Sequence, residues 1–227
     1  MARVHVVIPV YNNWTQCHNL LWDLYRHCVN DIASVVVVND CSDEEEMVSG
    51  GLRWWEKESK LLPLKVYSNE YNQGFLKTAN FGMSKVKGDP FDVIMLISTD
   101  VSIKAPIMEQ VLTLCDSEKC LVGRRLLNWD TGWNNFNGVI YPYLEGWLVA
   151  ASQKIWETMG YFDERYAPCD FEDVDLSTKA THMGFTLEAL NHPLVRHLGG
   201  QSIGYSPERE AQTKINRIKF MEKWVNK

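Results

Sequence analysis

The chain has 227 residues, 45% of them hydrophobic and 23% charged, with a formal net charge of −6. That is ordinary for one soluble α/β domain with a substantial core. The acidic balance offers no broad basic face for nucleic acid, and the longest apolar runs, such as Val93 to Ile97, are far too short to span a bilayer.

Three Val/Ile-rich runs, Val4 to Val10, Ser34 to Val38 and Asp92 to Ile97, are continuous rather than alternating, as in parallel strands covered on both faces. Trp14 to Val29 carries Leu20, Leu21, Leu24 and Cys28 on one helical stripe. Ser42 is placed to cap a helix whose first turn holds Asp43, Glu44, Glu45 and Glu46. Leu64 to Tyr67 reads as a third strand and Phe75 to Val86 as the helix after it. From Arg124 to Gly146 the sequence is polar, aromatic and aperiodic, which predicts a long loop. Gly146 to Ser152 then reads as a strand, Gln153 to Met159 as a short helix, Val174 to Met183 as a helix closed by Gly184, and Phe185 to Ala189 as a strand. Pro207 to Trp224 is a charged, amphipathic helix. The β-α alternation gives a doubly wound sheet that binds its ligand at the carboxyl ends of the strands.

Those ends carry polar groups. Asp40 at the tip of the second strand suits a ribose hydroxyl or a base N–H, and Asp100 after the strand that ends at Ile97 suits a divalent cation on phosphates. A single acid in such a place is also a common helix cap. Further on stands a carboxylate cluster, Asp170, Glu172, Asp173 and Asp175. Such crowding suits a general base or a metal ligand, though an exposed acidic helix start is the plain alternative. His197 reads either as a ligand or as a buried ring satisfied by a backbone carbonyl. The tract from Asn128 to Asn137, with Trp129, Trp133 and Phe136, offers flat faces for sugar rings and amides for hydroxyls; an ordinary loop tied down by two buried tryptophans is the alternative. Trp54 and Trp55 read as packing. The six cysteines lack zinc-like spacing, so free thiols in a reducing, cytoplasmic setting are expected, and no signal-peptide pattern opens the chain.

The order of these segments resembles the family 2 inverting glycosyltransferases with a GT-A fold, particularly rhamnosyl- and galactofuranosyl-transferase-like members. The matching pieces are Val7 to Asn12, Val38 to Ser42, Asn72 to Gly82, Ser98 to Asp100, Gly160 to Glu164, Phe171 to Asp175 and Val195 to His197. The resemblance runs from Val4 to about Gly200. It implies one GT-A domain: a Rossmann-like nucleotide-sugar half over residues 1–103, an acceptor and catalytic half over 104–205, and a terminal helix over 206–227. By position it implies that Pro9, Val10 and Tyr11 line the nucleobase pocket and Asp40 contacts the base, an imide N–H of uridine or thymidine diphosphate sugars being favoured. Asn72, Gly74 and Asn80 would shape the nucleotide site, with Lys77 near the phosphates and Thr99 beside Asp100. Asp100 matches the last acid of the family's DxD motif, whose first acid is here Ser98, so His197 gains weight as a second ligand for Mn²⁺ or Mg²⁺.

The family's base falls on Asp173, with Glu172 and Asp175 as helpers toward hydroxyls and Asp170 solvated. Trp129, Trp133 and Glu172 are the acceptor-site expectation. The partners implied are a nucleoside-diphosphate sugar and a glycan or glycoconjugate, with no nucleic acid; peripheral docking through the terminal helix stays open. A catalytically silent sugar-nucleotide-binding module is the alternative. A nucleotidyltransferase is less favoured, because Val10 to Trp14 lacks a Gly-rich basic loop.

Overall fold

The computed structural model describes residues 3–115, 119–199, 204 and 206–226; Gly200 lies outside them. The first half follows the expected alternation: β1 (Val4–Val10), α1 (Trp14–Cys28), β2 (Ile32–Asn39), α2 (Glu45–Arg53), β3 (Leu64–Ser68), α3 (Phe75–Ser84) and β4 (Val93–Ile97). Next come β5 (Val101–Ile103), α4 (Met108–Cys115) and β6 (Cys120–Gly123), elements too short to carry a periodic signal. The expected long loop contains four two-residue strands, β7 (Leu126–Leu127), β8 (Asn135–Phe136), β9 (Val139–Ile140) and β10 (Tyr143–Leu144); β7 pairs with β10, and β8 with β9. The chain continues through β11 (Leu148–Ser152), α5 (Gln153–Met159), α6 (Glu172–His182), β12 (Thr186–Ala189), β13 (Val195–His197) and α7 (Pro207–Phe220).

Seven strands form one sheet in the order β12-β6-β11-β4-β1-β2-β3. The pairs β4-β1, β1-β2, β2-β3 and β12-β6 are parallel, and β11 runs antiparallel to both its neighbours. Because side chains alternate across a strand, each central strand feeds two cores. Val6 and Ile8 of β1 and Val35 and Val37 of β2 pack with α1, α2 and α4. Val7, Val36 and Val38 pack on the other face with α3, α5, α6 and Phe220 of α7. The fit against α3 is tight: a Cβ on Gly82 would lie 2.6 Å from Val7 Cγ1 and 3.1 Å from Val38 Cγ2.

Two local expectations change. Ser42 does not cap α2, whose cap position is Glu44. Its hydroxyl donates to Asn39 Oδ1 and accepts the Asn12 N–H, joining the tips of β1 and β2. Trp55 is fully buried, whereas Trp54 is 38% exposed with its ring edge on Trp55.

Parallel strands bring their carboxyl ends to one edge. The amino end of β11 reaches the same edge, where the Trp147 carbonyl accepts the Ser98 N–H at 2.9 Å. Pairing of β13 with β5 sets His197 opposite Val101. The first turn of α6 completes the rim.

Candidate active site

A cavity of about 570 Å³ opens at this edge, with Pro9, Val10, Tyr11, Asp40, Asn72 and Gly74 on one side. Asp40 is 3% exposed and works hard within the fold. Its Oδ1 accepts from Asn69 Nδ2 at 2.7 Å and the Gln73 N–H at 2.9 Å, and its Oδ2 accepts the Gly74 N–H at 2.9 Å. Three of a carboxylate's roughly four acceptor positions are thus used on the loop before α3. Gly74 starts that helix with φ +81°, a conformation suited to glycine. Asn72 Oδ1 also accepts the Gly74 N–H, at 3.0 Å. The Tyr11 hydroxyl donates to Asp43 Oδ2 at 2.7 Å, and that hydrogen bond to a carboxylate raises its ionisation.

Lys77 and Asn80 do not line the cavity. Lys77 is exposed on α3. Asn80 donates to the Phe162 carbonyl at 3.0 Å and accepts the Phe162 N–H at 3.1 Å, clasping α3 to the segment after α5. Its amide is spent on the fold rather than on a nucleotide.

At the middle of the rim stand Ser98, Thr99 and Asp100. Asp100 is 5% exposed, and its Oδ1 lies 3.1 Å from His197 Nε2. The His197 ring stacks on Trp147, with centroids 4.8 Å apart and planes at 9°. Ligands at about 2.1 Å in adjacent octahedral positions around Mg²⁺ sit about 3 Å apart, so this pair fits one cation. No cluster of three or more His, Cys, Asp or Glu suited to a metal occurs among the described residues. A cation held here would therefore take its remaining ligands from a bound substrate or water.

The far wall holds the carboxylate cluster. Asp170 and Phe171 both take left-handed backbone, each with φ 72°, and α6 begins directly after them. Asp173 Oδ1 accepts the Val174 N–H at 2.8 Å, and the Gly146 N–H also supports the carboxylate. Burial outweighs these donors and, with the charge of Asp170, pushes the Asp173 ionisation up to about 6. Glu172 is held well above the usual carboxylate range by burial and then by the charge of Asp173, and its Oε2 is buried without a hydrogen-bond partner. Both carboxyls thus hold a proton more readily than a free carboxylate, and Asp173, which accepts the Val174 and Gly146 N–H groups, is the better placed to ionise.

Asp175 and Asp170 depart from the sequence expectation. Two residues on from Asp173 turns the Asp175 side chain to the core side of α6. There it is fully buried, accepting from Tyr166 Oη at 3.0 Å, Trp224 Nε1 at 2.7 Å and Lys223 Nζ at 2.9 Å. It is a structural acid and does not line the cavity. Asp170 is not solvated: Arg209 and Thr213 of α7 hold both its oxygens.

Trp129 and Trp133 are 50% and 53% exposed and lie off the cavity wall. Their loop is anchored instead by Phe136, buried against Phe171 and Phe220. Sequence reasoning missed Tyr143, Trp147, Cys169 and Arg209 on the wall. Only Trp147 had a usable signal, its place at the start of a strand reaching this edge.

A family model for "Glycosyl transferase family 2" matches residues 5–171. The chain belongs to glycosyl transferase family 2. No curated protein matches it in sequence. Solved structures extend the fold assignment. The mannosyltransferase PcManGT from Pyrobaculum calidifontis, in complex with GDP-Man and Mn²⁺, superposes with a TM-score of 0.73 at 19% identity, over 97% of this chain and 64% of that one. GalNAc-T7 with UDP, GalNAc and Mn²⁺ gives 0.74 at 14%, over 99% and 48%. S. aureus TarS 1-349 with UDP-GlcNAc gives 0.64 at 19%, over 96% and 66%. The chain thus spans about half to two thirds of these relatives' lengths and has their GT-A fold. No helix among the described residues is long and apolar enough to cross a membrane.

Proposed function

We propose that the protein is an inverting glycosyltransferase that moves a hexosyl or deoxyhexosyl group from a UDP- or dTDP-sugar to a hydroxyl of a glycan or glycoconjugate. The Glu172–Asp173 pair carries the reading, because two adjoining carboxyls, Asp173 braced by backbone N–H groups, share a cavity with Asp100 and His197. Asp173 takes the proton of the acceptor hydroxyl as that oxygen bonds to the anomeric carbon. The bond from that carbon to the diphosphate oxygen breaks, and its electron pair leaves with the nucleoside diphosphate. One base facing the anomeric carbon suffices for inversion. A nucleophile-based retaining reaction needs a second carboxylate opposite it, and Asp175 is turned into the core.

Glu172, whose buried Oε2 has no hydrogen-bond partner within the fold, is left to meet a sugar hydroxyl. Asp100 and His197 hold Mn²⁺ or Mg²⁺, which when bound supplies positive charge against the leaving diphosphate. Pro9, Val10 and Tyr11 floor the base site, and the acceptor position left on Asp40 receives the imide N–H of uracil or thymine. The neighbours' complexes contain both GDP-Man and UDP, so the fold alone favours no base. A nucleotide-release screen over UDP-, dTDP- and GDP-sugars with Mn²⁺ tests the proposal. Turnover with a UDP- or dTDP-sugar is expected. A clear preference for GDP overturns the donor assignment, and binding without turnover of any donor points to the silent module.

A further inference from the structure

The family match ends at residue 171, yet α7, further along the chain, reaches back to the site. Its inner face, continued past its end by Lys223 and Trp224, meets the segment from Asp163 to Asp175. Arg209 grips Asp170 twice, Nη2 to Oδ1 at 2.7 Å and Nε to Oδ2 at 3.0 Å, while its Nη1 donates to the Gly204 carbonyl at 2.7 Å. Thr213 Oγ1 donates to Asp170 Oδ2 at 2.7 Å. Asn216, fully buried, shares its amide protons among the carbonyls of Tyr166, Cys169 and Asp170 at 2.7, 2.8 and 2.9 Å. Lys223 Nζ donates to Asp163 Oδ2 and Asp175 Oδ2, each at 2.9 Å.

These fasteners close on the two left-handed residues, Asp170 and Phe171. Non-glycine residues in that region cost about 1–3 kcal/mol each and persist only where the surroundings over-determine them. The surroundings here are α7 together with Phe136, and the next turn carries Glu172 and Asp173. A helix whose polar residues served only solubility would turn them outward. Here Arg209, Thr213 and Asn216, with Lys223 just past the end of the helix, point in, while Glu208, Glu210 and Lys214 face solvent beside Ile215 and Ile218.

We propose that Arg209 and Asn216 are positioning residues: α7 fixes where Asp173 sits and what charge it faces by holding the turn from Cys169 to Phe171. The proposal rests on Asp173 being the base. Asn216 sets the backbone, and Arg209 balances Asp170, the nearest unhelpful charge. The charged and titratable groups around Asp173 are Cys169, Asp170 and Glu172 on the turn before it, Tyr143 and Glu145 from the β10 segment, and Arg209 from α7, with Asp100 and His197 lining the same cavity. Without Arg209, the half-buried Asp170 carboxylate loses its counter-charge and raises the pH at which Asp173 ionises.

The test compares the parent with Arg209→Gln, Asn216→Ala, the double variant Asp170→Asn/Arg209→Gln, and Asp173→Asn. It uses the whole chain with one working donor, below each variant's melting temperature. Turnover is read across pH, and donor affinity by calorimetry. Arg209→Gln is expected to lower kcat about 10- to 100-fold, to leave donor affinity within about threefold, and to move the acid limb of the rate about one pH unit upward. Adding Asp170→Asn returns the limb to the parent's position. Asn216→Ala, which changes no charge, lowers kcat with the limb unmoved. Parent-like kcat and pH profile in Arg209→Gln, beside a crippled Asp173→Asn, overturn this proposal alone. Donor affinity falling in step with kcat overturns it too, because Arg209 then touches the donor. A parent-like Asp173→Asn overturns the base assignment and takes this inference with it.

Discussion

Asp173→Asn keeps the size of the side chain and removes its ability to take a proton. General-base loss lowers rates by about 10²–10⁴-fold, or roughly 3–5 kcal/mol of barrier. Stability should move the other way. The carboxyl ionises at about 6 in the fold against 3.8 in the unfolded chain, so between those values the folded state binds more protons than the unfolded one. Stability from this group therefore falls as pH rises through that window and stays low above it. At about 1.4 kcal/mol per tenfold change, the buried charge costs the native state on the order of 3 kcal/mol above pH 6 and nothing below pH 3.8. The amide gives back part of that gain, since it accepts the Val174 and Gly146 N–H groups less strongly than a carboxylate. A net gain of about 1–2 kcal/mol at pH 7.5 corresponds to roughly 2–8 °C in Tm for a chain of this size. Melting curves at pH 4 and pH 7.5, with transfer rates on the same samples, check both halves. The parent kcat/KM should rise through about pH 6 to a plateau. Activity within about threefold of the parent, or a Tm gain equal at both pH values, would refute the reasoning.

Asp100→Asn should weaken nucleoside-diphosphate binding in Mn²⁺ while changing it little in EDTA; calorimetry in the two buffers decides, and an equal loss in both removes Asp100 from the metal. Gly82→Ala drives a methyl to within 2.6 Å of Val7 Cγ1, an overpacking that should cost about 1–3 kcal/mol in denaturant unfolding. Trp129→Ala and Trp133→Ala, at half-exposed positions, should leave stability within about 0.5 kcal/mol. Saturation curves should show a raised acceptor KM in these variants with donor KM unchanged, if the loop meets the acceptor.

The parts of this molecule legible in sequence are those whose cause is local. The runs of β1, β2 and β4 are continuous because both faces of the sheet are covered, and parallel strands put Tyr11, Asp40 and Asp100 on one edge. Asp173 stood out because crowded carboxylates are rare without a purpose. What escaped depends on partners distant in sequence or on helix phase. Asp175 belongs to the same cluster as Asp173, but its position on α6 turns it to Tyr166, Lys223 and Trp224. Arg209 looked like one charge on a solvated helix, and its partner Asp170 lies 39 residues earlier. Asn80 matched a motif position, yet its clasp on Phe162 is visible only in three dimensions. Ser98 in place of a first DxD acid left the second ligand open, and the pairing of β5 with β13 is what sets His197 beside Asp100.

Inversion with Asp173 as base is tested most directly by the stereochemistry of slow donor hydrolysis, where water replaces the acceptor and no acceptor need be known. The first sugar released is observed by proton NMR before mutarotation scrambles it. An α-linked donor should release the β anomer first, and Asp173→Asn should slow that release by about 10²-fold or more. Initial release of the α anomer, or equal rates for parent and variant, would contradict it.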